Sequence, residues 1–240
     1  MHTTAIHNYL EKHHFRAFTP KAVLFDMDGV LYDSMPNHAT AWHDSMAHYG
    51  IRMAPEEAYT FEGMRGVETI KIVARRQWGR TISDEEAREM YDYKSTMYAG
   101  SPVASLIPGA HDIMAALHNR GLKTGVVTGS AQATLLDRLN TDYQGLLTPG
   151  IFVTALNIEH GKPAPDPYLK GMEMAGTEPW ETIVVENAPL GVRAAVAARC
   201  FTVAVNTGPL PDQDLLREGC DLLFHSMHDF LLAVNEQPMP

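Results

Sequence analysis

The sequence predicts an α/β fold: a Rossmann-like three-layer core around a parallel sheet, with an α-helical cap domain inserted near its amino-terminal end. Three observations predict it. Short apolar runs at 22–25, 122–127, 182–185 and 201–205 alternate with helix-length segments, the pattern of buried parallel strands joined by crossover helices. The stretch from about Met35 to Leu106 carries helical signals and no convincing strand. Pro102 and Pro108 punctuate the return of that stretch, so the core is expected at 1–34 and 107–240 and the cap at 35–106.

Taken in order, residues 1–20 form a polar, His-rich lead-in with a weak helical pattern, and His13 and His14 read as a solvated helix face. The run 22–25 is the first strand. In the insert, a helix at 36–49 stops at Gly50 and another at 67–78 stops at Gly79, both Gly supplying the left-handed residue that ends helices. Ser83 followed by Glu86 is a capping box opening a third helix to about Ala99. Beyond the insert, strand 122–127 precedes a helix at 131–139, a Pro-rich connection at 161–166 opens a helix at 168–175, and strand 182–185 leads into a helix starting at 188–191.

Composition narrows the function. The chain has 240 residues, 45% hydrophobic and 20% charged, enough for one sizeable core with a small appended domain. A formal net charge of -10 disfavours nucleic acid and anionic membrane surfaces as partners. No apolar run approaches the roughly 18 to 20 residues of a membrane span, and Met1 to Leu10 lack an export pattern, so a cytoplasmic, soluble protein is expected, by default a monomer. Cys200 and Cys220 suggest neither a disulfide framework nor a zinc site.

Four segments at the carboxyl ends of strands carry the candidate chemistry. Asp26-Met27-Asp28-Gly29 follows the first strand, where open parallel sheets bind ligands, and two carboxylates there can divide nucleophilic attack and proton transfer between them. The same tetrapeptide is also a turn sequence. Thr128-Gly129-Ser130 offers a hydroxyl and backbone N–H groups to a phosphate oxygen, or serves simply as a helix cap. Lys162 sits in the stiff connection Gly161-Lys162-Pro163 and can supply a fixed positive charge. Glu186-Asn187 offers oxygen ligands that, with Asp26 and the Asp28 carbonyl, suit magnesium. Jointly, in this order, the four segments are far more specific than any one alone.

In these residues the chain resembles the haloacid dehalogenase superfamily almost end to end. The resemblance implies that Asp26 forms a covalent aspartyl-phosphate, that Asp28 acts as general acid and base, that Thr128 and Lys162 hold phosphate, and that magnesium is bound at Asp26, the Asp28 carbonyl and Glu186-Asn187. An acidic second position also implies phosphoryl transfer over carbon–halogen cleavage. The helical insert resembles the cap of the β-phosphoglucomutase-like subfamily, which implies roles for His38 beside the acid/base residue and for Lys94 on substrate.

Two departures bear on substrate. Glu62, in the cap loop Phe61-Glu62-Gly63-Met64-Arg65-Gly66, stands where the sugar phosphomutases resembled here carry a basic residue, and the Arg is displaced to Arg65. A carboxylate there repels a sugar-bound phosphate unless a metal lies between. Asn187 stands where many relatives have Asp, and Glu62, brought in by cap closure, is the candidate to replace the lost oxygen. The whole chain, including Glu62, Asn187-Ala188-Pro189-Leu190-Gly191 and Asn206-Thr207-Gly208-Pro209-Leu210, resembles a small subgroup associated with pyrophosphate hydrolysis, and the resemblance implies a magnesium-dependent phosphohydrolase with inorganic pyrophosphate as favoured substrate. The alternatives are a β-phosphoglucomutase and, from another class, a non-catalytic phosphate-binding or partner-binding protein.

Overall fold

The computed structural model describes residues 3–129 and 134–236. In chain order the elements are α1 (Thr3–His13), β1 (Ala22–Phe25), α2 (Met35–His48), α3 (Glu57–Thr60), α4 (Gly66–Trp78), α5 (Asp84–Ala99), α6 (Ala110–His118), β2 (Lys123–Val127), α7 (Thr134–Asp142), β3 (Phe152–Val153), α8 (Asp166–Ala175), β4 (Thr182–Glu186), α9 (Pro189–Ala197), β5 (Phe201–Val205), α10 (Asp212–Leu216), β6 (Leu222–Phe224) and α11 (Met227–Glu236). The strands form one parallel sheet in the order β3-β2-β1-β4-β5-β6. The chain first builds outward from β1 to β3 and then crosses to β4 on the other side. The β1/β4 boundary is therefore the switch point where such sheets open a crevice at their carboxyl edge.

Alternation along β1 makes the three layers. Val23 and Phe25 pack into an apolar cluster with α1, α6 and α11, while Ala22 and Leu24 pack into another with α8 and α9. Successive side chains of a strand point to opposite faces, so a short strand that is apolar throughout requires a helical layer on each side. On α8 the approach is close, since a Cβ at Gly171 would lie 2.7 Å from Leu24 Cδ1.

The α/β reading is borne out. The edge strands β3 and β6 are too short to be read as strands from the sequence. The lead-in forms α1, whose Tyr9 is fully buried with its single O–H donor shared between the carbonyls of Pro179 at 3.0 Å and Arg199 at 2.9 Å. Helices α2 to α5 lie between β1 and β2 and share their own apolar cluster, including Trp42, Met46, Ile70 and Met90. Ser83 caps α5 by accepting from Glu86 N at 3.1 Å, while the Glu86 carboxylate pairs with Arg80 instead of reaching back to the cap.

Candidate active site

All four predicted segments converge at the carboxyl edge of β3, β2, β1 and β4. Asp26 leaves β1 with its N–H still on Val185 O at 2.9 Å, and the chain then turns sharply through Gly29, whose φ of +74° favours glycine. Asn187 closes over this turn, since a Cβ at Gly29 would lie 2.0 Å from Asn187 Nδ2.

Lys162 is buried between two carboxylates. It forms an ion pair with Asp26 Oδ1 and another with Glu186 Oε1 at 2.6 Å. Burial works against its charge, but Asp26 and Glu186 outweigh it and hold the ammonium above the ordinary lysine range. Burial pushes the Asp26 carboxyl up, Lys162 pulls it down, and the fields of Glu186 and Asp28 add to the push.

The expected place of Glu186 needs correction. Its Oε1 receives Lys162 and the Tyr168 hydroxyl, and its Oε2 receives the backbone N–H groups of Asn187 and Ala188. With both oxygens engaged, Glu186 is the counter-ion that aims Lys162. A Cβ at Gly191 would fall 1.8 Å from Glu186 Oε1, so glycine there is what admits the carboxylate.

Asp28 lies in a separate relay. Ser34 donates to its Oδ1, His38 Nε2 lies 3.4 Å from the same atom, and Lys94 Nζ lies 2.8 Å from His38 Nδ1. An ammonium can only donate, so His38 Nδ1 accepts and its Nε2 carries the proton toward Asp28. His38 also stacks on Tyr98 with ring centroids 4.0 Å apart, and Lys94 Nζ sits 5.0 Å from the Trp42 ring centroid. Burial alone would raise Asp28, but His38, Ser34 and Lys94 hold it below the usual range. Burial and Lys94 hold His38 low despite Asp28, and burial lowers Lys94 to about 8.

From the insert, Glu62 is brought against the core. It is 8% exposed and accepts from Asn187 Nδ2 at 2.9 Å; burial and Asp26 push its carboxyl well above the ordinary value. Gly63 seats beside it, since a Cβ there would meet Lys162 Cδ at 2.7 Å. Between these parts lies a cavity of about 70 Å³ lined by Asp26, Asp28, His38, Glu62, Lys94 and Gly129 among others. Arg65 does not line it. Its guanidinium donates to Glu159 O at 3.0 Å, and the residue borders a smaller recess with Thr128, Gly129 and Lys162. Thr128 is buried at the end of β2 with its N–H on Val153 O, while Ser130 lies outside the described residues. Ser34 and Tyr168 went unread in the sequence, because a serine before a helix and a tyrosine inside one carry no spacing signal.

The donor set fits a hard divalent cation. Asn187 Oδ1 is buried without a hydrogen-bond partner, the kind of atom a cation satisfies. Four carboxylates, of Asp26, Asp28, Glu62 and Glu186, face two lysines, Lys94 and Lys162, so an anionic ligand needs further positive charge. Among the described residues, no three His, Cys, Asp or Glu side chains cluster as a preformed metal centre.

A family profile described as haloacid dehalogenase-like hydrolase matches residues 20–199. The chain belongs to this family. Among haloacid dehalogenase-like relatives, hexitol phosphatase A of Escherichia coli is 34% identical over 91% of this chain and 95% of its own. The β-phosphoglucomutase of Bacillus subtilis is 27% identical over 87% of this chain and 94% of its own. A solved structure from Bacteroides vulgatus, provisionally called a β-phosphoglucomutase, superimposes with a TM-score of 0.93 at 48% identity, covering 97% of this chain and 94% of that one. The chain is thus a phosphatase or phosphomutase-type member of the haloacid dehalogenase-like hydrolases, resembling the β-phosphoglucomutases, and a phosphorylated small molecule suits its site. No described helix is long and apolar enough to cross a membrane.

Proposed function

We propose that this protein is a cytoplasmic, magnesium-dependent phosphohydrolase with inorganic pyrophosphate as its favoured substrate, built as a core of residues 1–34 and 107–240 under a cap of residues 35–106. The observation that carries the reading is Glu62 of the cap loop hydrogen-bonded to Asn187 of the core beside Asp26. A carboxylate at that point opposes the distal phosphate of a sugar bisphosphate by like charge. The cavity of about 70 Å³ supports a compact anion.

In this reading Asp26 attacks phosphorus and carries the phosphoryl group as an aspartyl-phosphate. Asp28 protonates the leaving oxygen, then takes a proton from the water that hydrolyses the intermediate. Lys162, the Thr128 hydroxyl and the Gly129 N–H hold charge on the equatorial oxygens. The His38–Lys94 pair orients Asp28 and faces substrate with positive charge. Asp26, the Asp28 carbonyl and Asn187 Oδ1 would hold magnesium, which supplies neutralising charge for the phosphate oxygens.

A second reading is action on a sugar phosphate, as mutase or phosphatase. It is favoured by the names of the relatives, a hexitol phosphatase and a β-phosphoglucomutase. The two are separated by measuring phosphate release with magnesium from pyrophosphate, β-glucose 1-phosphate and hexitol phosphates, with Asp26→Asn as blank. Pyrophosphate preferred at least tenfold in kcat/KM, about 1.4 kcal/mol in transition-state binding, is expected. Glucose 6-phosphate accumulating from β-glucose 1-phosphate, or a hexitol phosphate preferred, sinks the pyrophosphate reading. Full activity in Asp26→Asn would leave only a non-catalytic role for the site.

A further inference from the structure

A second cavity, of about 310 Å³, lies beside the chamber and is lined by Gly29, Asp33, Tyr59, Asn187, Thr207 and Gly208 among others. Met35 lines both spaces. Glu62 borders the chamber and Asn187 borders the second cavity, so the hydrogen bond between them forms the partition.

The two spaces differ in charge. The chamber wall sets Lys94 against the carboxylates of Asp26, Asp28 and Glu62 and so offers a phosphate a cation, whereas Asp33 is the one charged side chain among the described residues lining the second cavity. The carboxylates of Glu62, Asp33 and Glu56 also act on Tyr59, whose hydroxyl burial and these charges push up. Asp33, Gly208 and Pro209 are exposed and make the outer mouth. At the inner end stands Asn187, 6% exposed, with its Oδ1 unpartnered. The Thr207 hydroxyl, which donates to Gly29 O at 2.6 Å, and the Asn187 amide give the walls polar character. Such a passage repels phosphate and attracts a cation. It is also roomy, which matters because magnesium sheds water reluctantly.

We propose that this second cavity is the port by which the divalent cation reaches and leaves Asn187, separately from the phosphorylated substrate. The inference rests on the metal-dependent phosphohydrolase reading. Asp33 steers the ion, and the Glu62–Asn187 bond closes the port's inner end.

The test follows Mn²⁺ on the full chain, its binding by electron paramagnetic resonance and its release by stopped-flow chelator chase. Two variants probe the port. Asp33→Lys reverses the charge at an exposed position, and Gly208→Phe grows a side chain into the cavity from a backbone with ordinary φ, its Cβ 3.4 Å from Tyr59 Cδ1. Mn²⁺ association slowed about tenfold in Asp33→Lys is the expected result, within the range that electrostatic steering commands. In Gly208→Phe both association and release slow, and the KM for pyrophosphate at saturating magnesium stays unchanged in both variants. Should Gly208→Phe fail to fold by its melting curve, Asp33→Lys alone decides. Wild-type exchange rates in the folded variants would overturn the port while leaving the metal-dependent reading intact. A wild-type protein that binds no Mn²⁺ would overturn both.

Discussion

Glu62 Oε1 and Asn187 Nδ2 lie 2.9 Å apart, which ties a loop between α3 and α4 to the residue that follows β4, 125 positions later in the chain. This bond sets both the charge above Asp26 and the closure of the loop. The two effects separate by substitution. Glu62→Gln keeps an acceptor for Asn187 but removes the charge; Glu62→Ala removes both. We expect kcat/KM for pyrophosphate to fall at least tenfold in each, about 1.4 kcal/mol. Hydrogen exchange of residues 61–66 should speed up only in Glu62→Ala. Equal pyrophosphate kinetics in Glu62→Ala and wild type would remove Glu62 from the reaction.

Lys162 serves two buried carboxylates with one charge. Lys162→Ala leaves Asp26 and Glu186 uncompensated and should cost about 3–5 kcal/mol in denaturant unfolding. Asp26→Asn instead balances the pair and, measured in chelator, should gain about 0.5–2 kcal/mol while abolishing turnover. A destabilised Asp26→Asn would contradict this charge balance.

Arg65 latches the same loop from outside, through Glu159 O. Loss of one such bond, about 0.5–1.5 kcal/mol, shifts an open–closed balance two- to tenfold. Arg65→Ala should therefore lower kcat/KM by that factor for every substrate alike, with Tm unchanged. A loss confined to one substrate would return Arg65 to substrate recognition.

Lys94 is lowered to about 8 by burial, against the pull of Asp28. If its ammonium holds substrate charge, activity should decline as pH rises through about 8, and Lys94→Arg should carry the alkaline limb upward. A profile flat to pH 10 in the wild type would show that the charge is not needed.

Asp221 tests pH-dependent stability away from the site. Burial raises it to about 6, and its Oδ2 accepts from Thr202 N at 2.8 Å. A raised acid binds its proton more tightly folded than unfolded. Its favourable contribution is therefore complete below the unfolded value of 3.8 and is lost as pH climbs through about 6. Asp221→Asn keeps an acceptor for Thr202 and should raise Tm at pH 8, with the gain vanishing near pH 4. A gain that is equal at both pH values would assign the effect to packing.

The sequence by itself determined the central strands, the helical insert and the positions of Asp26, Asp28, Lys162 and Asn187. Their signals are local: a strand apolar on both faces, a glycine or proline stop, a carboxylate or lysine at a strand end. The edge strands β3 and β6 escaped because two or three residues cannot display a period. Only the tertiary structure decided that Glu186 holds Lys162, that Arg65 grips Glu159 from outside, and that Asn187 keeps one oxygen free while its nitrogen holds Glu62. Those assignments depend on which buried oxygens find donors, and the donors come from segments up to 125 positions away, brought together by the order of the strands.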